Sequence, residues 1–232
     1  MLIEKIGEIS AVGFDIDGTL YKSWKLNVRV VPHILGNLKF YRNYSKARKI
    51  MHEMHTESRE QFYEIQNKVL GVLLNCSPEK AGKLETKIAD RGLSRFFKRI
   101  KPCDGAIELM KDLKAAGLKL ALLSDFSPDQ KGDVWGVRPY CDVALGTADC
   151  GALKPSVLPF KKMAEDLGVP NEKILFVGNS LSLDIVGAKN AGMKTAWFTA
   201  KNKCNNEKHP EVDFCFWDYA QLRELLLPGT AK

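Results

Sequence analysis

The stretch AVGFDIDGTL, residues 11–20, decides the fold of this chain and contains its most reactive groups. Residues 11–17 predict a short buried β-strand, because they are apolar until two aspartates, Asp15 and Asp17, appear at the C-terminal end. Two carboxylates two positions apart share one face of a regular strand, but where a strand ends they can diverge toward one pocket. Gly18 then permits a tight turn. The stretch therefore predicts a buried strand that delivers two carboxylates to a functional site.

Strand-like and helical segments alternate on the C-terminal side of this stretch. Strands are predicted for residues 118–124, 142–146, 173–178, 194–199 and 213–217, and helices for residues 105–116, 155–167 and 181–191. This alternation requires right-handed crossovers and a parallel sheet covered by helices on both faces. We expect a three-layer, Rossmann-like α/β core in which ligands bind beyond the carboxyl ends of the strands.

Residues 22–100 interrupt the alternation and predict an inserted all-helical domain of about four helices. Apolar residues in this segment recur at the spacing of one helix face, at Phe62, Ile65, Val69, Val72 and Leu73. Ser77 and Pro78 predict a helix start, as N-cap and first helical residue. The chain is thus expected to form a core domain from residues 1–21 and 101–232, with residues 22–100 inserted.

Composition bounds the class of protein. The 232 residues are 45% hydrophobic, enough to bury a core. The longest apolar runs are far shorter than the roughly 20 residues that cross a bilayer, and residues 1–10 lack the pattern of a signal peptide. We therefore expect a cytoplasmic protein without a membrane partner. The six cysteines contain no C-x-x-C pair and predict reduced thiols.

The net charge of +7 lies in the inserted segment, where residues 22–99 hold 17 Lys or Arg against 7 Asp or Glu. A basic surface attracts phosphorylated metabolites and nucleic acid, although a solvated lysine-rich surface explains the same count. No nucleic-acid-binding motif surrounds these residues, so no nucleic-acid partner is expected.

The paired aspartates can divide the work of phosphoryl transfer. One ionised carboxylate can attack phosphorus and hold a divalent cation, while the other gives a proton to the leaving oxygen and later takes one from water. The sequence D-I-D-G-T-L resembles the first motif of phosphatases of the haloacid dehalogenase (HAD) superfamily. The resemblance implies that Asp15 is the nucleophile and Asp17 the general acid/base, with Mg²⁺ bound by the Asp15 carboxylate and the Asp17 backbone carbonyl.

Three later segments resemble the remaining motifs of the superfamily, in the same order. Ser124 ends an apolar strand and is similar to the hydroxyl that binds the transferring phosphoryl group. Lys154 resembles the lysine that neutralises nucleophile and phosphate. In FVGNSLSLD, residues 176–184, the acidic motif has Asn179 where the pattern has Asp, and the resemblance implies that Asp184 remains to bind the metal directly or through water. An asparagine oxygen still ligates Mg²⁺ but adds no negative charge, so weaker Mg²⁺ affinity is expected.

The inserted helical segment occupies the place of the superfamily's C1 cap, which closes over the active site and excludes water. Gly18 and Asp125 are expected to contact substrate, the latter standing where relatives often have Asn. Trp24, in a predicted hinge, is expected to touch either substrate or cap. The substrate is expected to be a small phosphorylated metabolite, and a monomer and a homodimer remain equally open.

The sequence thus predicts a Mg²⁺-dependent phosphatase that hydrolyses a small phosphate monoester through an aspartyl-phosphate. Two alternatives remain open: a phosphosugar mutase of the same superfamily, and a weakly catalytic binding or scaffold protein, for which Asn179 and Asp125 are the only support.

Overall fold

The computed structural model describes residues 2–3, 7–205 and 208–229. Eight strands lie in the described residues: β1 Leu2–Ile3, β2 Gly7–Glu8, β3 Ala11–Phe14, β4 Lys119–Ser124, β5 Val143–Gly146, β6 Ile174–Gly178, β7 Lys194–Phe198 and β8 Phe214–Phe216. β1 and β2 form a small antiparallel pair that the sequence analysis does not predict. The other six form one parallel sheet in the order β5-β4-β3-β6-β7-β8, which confirms the predicted core.

β3 lies at the centre of this sheet and is buried on both faces. Phe14 pairs with Leu122 of β4 on one side and with Val177 of β6 on the other. Because the three strands are parallel, their carboxyl ends meet at one edge of the sheet. The residues that follow β3, β4 and β6 therefore come together, as an open α/β sheet requires of its ligand site.

Helices cover both faces of the sheet. The core-domain helices are α6 Ala106–Ala115, α7 Val157–Leu167, α8 Val186–Asn190 and α9 Tyr219–Leu226. Along β3 and β4, alternate side chains pack with α6 and α9 in one cluster and with α7 and α8 in the other. This is the expected three-layer arrangement. α7 begins two residues later than predicted, because Ser156 is its N-cap and accepts a hydrogen bond from Leu158 N.

The inserted segment is helical throughout its ordered elements. It contains α1 Ser23–Gly36, α2 Leu38–His52, α3 Arg59–Leu74, α4 Pro78–Glu85 and α5 Arg91–Phe97, and a π-helical segment, Thr86–Asp90, joins the last two. Ser77 caps α4 and Pro78 is its first residue, as predicted. We call residues 22–100 the cap; its division from the core at these residues stays a prediction.

Two details of the sequence analysis are wrong. Val72 does not belong to the buried face of α3 but is 82% exposed, whereas Gln66 and Leu70 complete that face at the i+4 spacing from Phe62. Cys204 and Cys215 form a disulfide rather than free thiols, because the chain after β7 returns against β8 and brings their Cα atoms within 5.6 Å. No helix among the described residues is long and apolar enough to cross a membrane.

Candidate active site

Asp15 directly follows β3, and its carboxylate shares one ammonium group with Asp184. Lys154 Nζ donates to Asp15 Oδ1 and to Asp184 Oδ1, each at 2.7 Å, and to the Leu123 carbonyl at 3.3 Å. The other oxygen of Asp15, Oδ2, accepts from the Thr19 hydroxyl at 2.8 Å. Asp15, Lys154 and Asp184 are all buried. Predicted residues from three distant motifs are therefore in direct contact.

Burial and neighbouring charges change the pKa values of Asp15 and Lys154. Burial raises the pKa of Asp15 to about 7; the neighbouring Asp184 adds to the rise and Lys154 opposes it. Burial alone would lower the pKa of Lys154, but the two carboxylates outweigh that effect and hold its pKa above the ordinary value. Perturbed carboxylates of this kind are typical of functional sites.

The carboxylate of Asp17 points to a different set of donors. The Tyr21 hydroxyl donates to Oδ1 at 2.6 Å, and the Ser124 hydroxyl donates to Oδ2 at 2.8 Å. Lys131 Nζ lies 2.9 Å from the same Oδ2. Burial alone would raise the pKa of Asp17, but Lys131, Tyr21 and Ser124 together lower it. Asp17 is therefore held as a carboxylate at neutral pH.

Oxygen atoms of three residues converge beside Gly18 in a way that suits a hard cation. Asn179 Oδ1 faces Asp15 Oδ2 and the Asp17 carbonyl; turning the amide over would let its nitrogen donate to them at 3.3 Å and 3.1 Å. A cation held by these three oxygens would satisfy the same acceptors without that turn. Gly18 has φ +92°, and a Cβ there would lie 2.6 Å from Ser23 Oγ and 2.7 Å from Asn179 Nδ2. The residues present therefore fit Mg²⁺ and leave no room for a side chain at position 18.

Asp184, also predicted as a metal ligand, has internal partners on both oxygens. Besides the bond from Lys154 to Oδ1, Oδ2 accepts from the backbone nitrogens of Asn179 at 3.1 Å and Ser180 at 2.9 Å. Within the described ranges, no three Asp, Glu, His or Cys side chains are grouped to hold a metal. Asp15, the Asp17 carbonyl and Asn179 are thus the direct oxygen donors that the geometry offers.

The predicted substrate contacts have different surroundings. Asp125 Oδ1 accepts from the Thr147 hydroxyl at 2.7 Å and from Lys154 N at 3.2 Å, so this carboxylate braces two loops. Trp24 is 63% exposed on the first turn of α1, and the hydrogen-bond network described above does not include it. Whether either residue contacts substrate stays a prediction.

A cavity of about 390 Å³ separates the cap from the core beside Asp125. Charged and aromatic side chains line it, among them Tyr44, Arg48, Arg59, Tyr63, Glu85 and Phe126. The cap contacts the loops that carry the motifs: Arg48 Nη2 donates to the Asp125 carbonyl at 2.9 Å, and His52 Nδ1 lies 2.7 Å from the Lys154 carbonyl. Cap side chains therefore face the space next to the reactive groups.

Two side chains that bind the Asp17 carboxylate, Tyr21 and Lys131, were not predicted from the sequence. Tyr21 lies four residues after Asp17, which places its hydroxyl within reach of the carboxylate. Lys131 lies in a loop beyond the second motif, within the 3₁₀ turn Pro128–Lys131, and no local pattern distinguishes it from a surface lysine. A lysine shortly after a motif strand only weakly indicates a functional residue, and its contact with Asp17 becomes visible only in the folded loop.

Known proteins resemble this chain in sequence and in fold. Residues 12–198 match the family model described as haloacid dehalogenase-like hydrolase. The chain is 28% identical over 192 residues to pyrophosphatase PpaX of Halalkalibacterium halodurans, covering 82% of this chain and 83% of that protein. It is 27% identical over 214 residues to 5-amino-6-(5-phospho-D-ribitylamino)uracil phosphatase YigB of Escherichia coli, covering 85% and 86%. A HAD phosphatase from Thermococcus onnurineus shares the fold, with a TM-score of 0.62 at 22% identity over 96% of this chain and 100% of that chain.

Proposed function

This chain belongs to the haloacid dehalogenase-like hydrolases, and we propose that it is a Mg²⁺-dependent phosphatase acting on a small phosphate monoester. The observation that supports the proposal most directly is the 2.7 Å contact between Lys154 Nζ and Asp15 Oδ1. The contact between Ser124 and Asp17 lies at the same edge of the sheet. The relatives named as a pyrophosphatase and as a phosphatase of a phosphorylated uracil derivative support a small phosphorylated substrate.

The first step is attack of an Asp15 carboxylate oxygen on phosphorus. A bond forms between that oxygen and phosphorus while the bond from phosphorus to the leaving oxygen breaks. Asp17 supplies the proton that the leaving alcohol needs. Although Asp17 is held ionised in the protein alone, a phosphate dianion beside it favours the neutral form and raises its pKa. The product of this step is an aspartyl-phosphate and a free alcohol.

The second step returns the enzyme to its starting state. Asp17, now a carboxylate again, takes a proton from water, and the water oxygen attacks phosphorus. The bond between phosphorus and Asp15 breaks, and inorganic phosphate leaves. Lys154 and the Ser124 hydroxyl would stabilise the charge on the equatorial oxygens, which is the main demand of phosphoryl transfer.

Mg²⁺ held by Asp15, the Asp17 carbonyl and Asn179 would neutralise and orient the phosphate. The part of the substrate beyond the phosphate would lie in the cavity between cap and core, against Arg48, Tyr44 and Phe126. Those residues offer one cation and two aromatic faces, which suits a small polar metabolite.

Asp15→Asn tests the nucleophile. We expect phosphate release from a panel of sugar, nucleotide and organic-acid phosphates to fall at least about 10³-fold, since no carboxylate remains to form the intermediate. Lys114→Met is the control, because Lys114 pairs with Asp142 away from the site. Asp15→Asn protein that keeps the fold by circular dichroism and releases phosphate at the control rate would refute the assignment.

A further inference from the structure

Lys131 is a buried lysine that the two steps above do not use. Its side chain is 1% exposed, and Nζ lies 5.1 Å from the centre of the Phe97 ring and 5.5 Å from that of Phe126. An ammonium group in such surroundings has lost most of its hydration and needs an anionic partner. Asp17, at 2.9 Å, is the only carboxylate with which it forms an ion pair among the described residues.

Lys131 is also the one charged group that fixes the Asp17 carboxylate. Tyr21 binds Oδ1, and Ser124 and Lys131 share Oδ2. In the proposed reaction the Ser124 hydroxyl turns to the phosphoryl group, so its bond to Asp17 is lost when substrate binds. Tyr21 and Lys131 then remain as the two groups that set the direction of the carboxylate.

Gln130 links Lys131 to the cap. Its Nε2 donates to the carbonyl of Ala89 at 3.0 Å, within the π-helical segment that joins α4 and α5. Its Oε1 accepts from Lys131 Nζ at 3.5 Å, the longest contact of the series. Side chains therefore connect a cap carbonyl, Gln130, Lys131 and Asp17 in unbroken sequence. Thr86 and Asp90 of the π-helical segment also line the cavity, so a ligand in the cavity would contact the segment to which Gln130 is hydrogen-bonded.

We propose that Lys131 is a positioning residue that holds the Asp17 carboxylate in line with the reacting oxygens, and that Gln130 makes this hold depend on the place of the cap. The inference rests on the proposed function, because it takes Asp17 as the group that moves the proton. Lys131 itself transfers no proton and touches no substrate.

The two steps make different demands on a misplaced Asp17. An alkyl phosphate needs a proton on its leaving oxygen, so it depends on Asp17 in both steps. p-Nitrophenyl phosphate has a weakly basic leaving group that departs without a proton, so it depends on Asp17 only when water attacks. Loss of Lys131 should therefore leave formation of the aspartyl-phosphate from this ester nearly intact and slow its hydrolysis. The phosphoenzyme then accumulates, and the first turnover appears as a burst of p-nitrophenol.

The experiment compares Lys131→Met with Lys114→Met, the same substitution in a Lys–Asp pair remote from the site. With Mg²⁺ and p-nitrophenyl phosphate, we expect kcat of Lys131→Met to fall about 10- to 100-fold and KM to fall with it, so that kcat/KM, which reports formation of the aspartyl-phosphate, stays within about threefold of the control. Stopped-flow traces should show a burst approaching one p-nitrophenol per enzyme. With glycerol phosphate the same variant should be slow without a burst.

Gln130→Ala tests the link to the cap. We expect a smaller loss of kcat, about three- to tenfold, with the same burst, since Lys131 keeps its charge but loses its support. The double variant with Lys131→Met should lie within about twofold of Lys131→Met alone, because two residues acting through one contact are not additive. If Lys131→Met does not fold, Gln130→Ala alone tests the proposal: a burst of p-nitrophenol supports it, and a loss of kcat without a burst overturns it.

Several results would overturn the inference. One is an active wild type whose Lys131→Met variant has the kcat of the control; another is a loss of kcat without a burst. A double variant whose loss is the product of the single losses would remove the role of Gln130. If the wild type itself releases no phosphate from any ester, the proposed function fails and takes this inference with it, a result distinct from all the others.

Discussion

Replacing Lys154 with Met removes the ammonium group that two buried carboxylates share. The side chains of Lys154, Asp15 and Asp184 are 3%, 5% and 2% exposed, and both ion pairs measure 2.7 Å. Because methionine keeps much of the side-chain volume, the loss is mainly electrostatic. Removing one partner of a buried ion pair costs about 3–5 kcal/mol of unfolding free energy. For a domain of this size the melting temperature should fall by about 6–20 °C.

The assay is urea unfolding at pH 7.5 in EDTA, since a bound cation would mask the loss. A second substitution separates electrostatics from packing: Asp15→Asn added to Lys154→Met removes one of the two stranded carboxylates and should restore about 1–3 kcal/mol. Asp15→Asn alone leaves Lys154 paired with Asp184 and serves as reference. A Lys154→Met protein as stable as wild type, or a double variant less stable than Lys154→Met, would refute the reasoning.

Three further predictions concern pH, metal and backbone. Burial raises the pKa of Glu85 from 4.5 to about 7, so between these pH values the folded protein retains a proton that the unfolded chain releases. As pH rises from 4.5 to above 7, the unfolding free energy of the wild type should therefore fall by on the order of 2–3 kcal/mol relative to that of Glu85→Gln in urea titrations. Parallel pH dependences of the two proteins would contradict this. Asn179→Asp adds a carboxylate beside Asp15 and should tighten Mg²⁺ binding about tenfold by calorimetry, whereas equal affinity would exclude Asn179 as a ligand. Both Gly18 and Gly117 have positive φ, so replacing either with Ala costs about 1–2 kcal/mol of backbone strain. Of the two positions, only position 18 has atoms within 4 Å of an added Cβ, so Gly18→Ala should lower the melting temperature more than Gly117→Ala. Equal losses would mean that the close approach at position 18 is unimportant.

The fold was predictable because its signals are local and repeated. Each predicted strand is present, trimmed by one to three residues. Residues 11–17 shorten to Ala11–Phe14 because Asp15 already turns into the pocket. The helix count in the cap was less predictable. α4 and α5 are joined by the π-helical segment Thr86–Asp90, which contains no Gly or Pro that would mark a break between two helices. The disulfide between Cys204 and Cys215 depends on a chain return that no spacing rule encodes.

Part of the site was predictable for a related reason. Asp15 follows β3, Ser124 ends β4, and the segment containing Asp184 follows β6. Parallel strands bring such positions together without any knowledge of side chains. Lys131 and Gln130 are different, because their position depends on how the loop after β4 folds back toward the cap. Asp125 shows the limit of residue type as a guide: its carboxylate binds Thr147 and Lys154 N, which the sequence alone does not reveal.

The count of charged groups in the site explains why a divalent cation suits this pocket. Asp15, Asp17 and Asp184 place three carboxylates around it, while Lys131 and Lys154 supply two ammonium groups in direct contact with them. The pocket therefore carries one excess negative charge when all are ionised. A phosphate dianion would add two more in a region of low dielectric constant, where such an excess is costly. A Mg²⁺ ion held by Asp15, the Asp17 carbonyl and Asn179 would offset the charge of that dianion, so phosphate and cation should bind together far more tightly than phosphate alone.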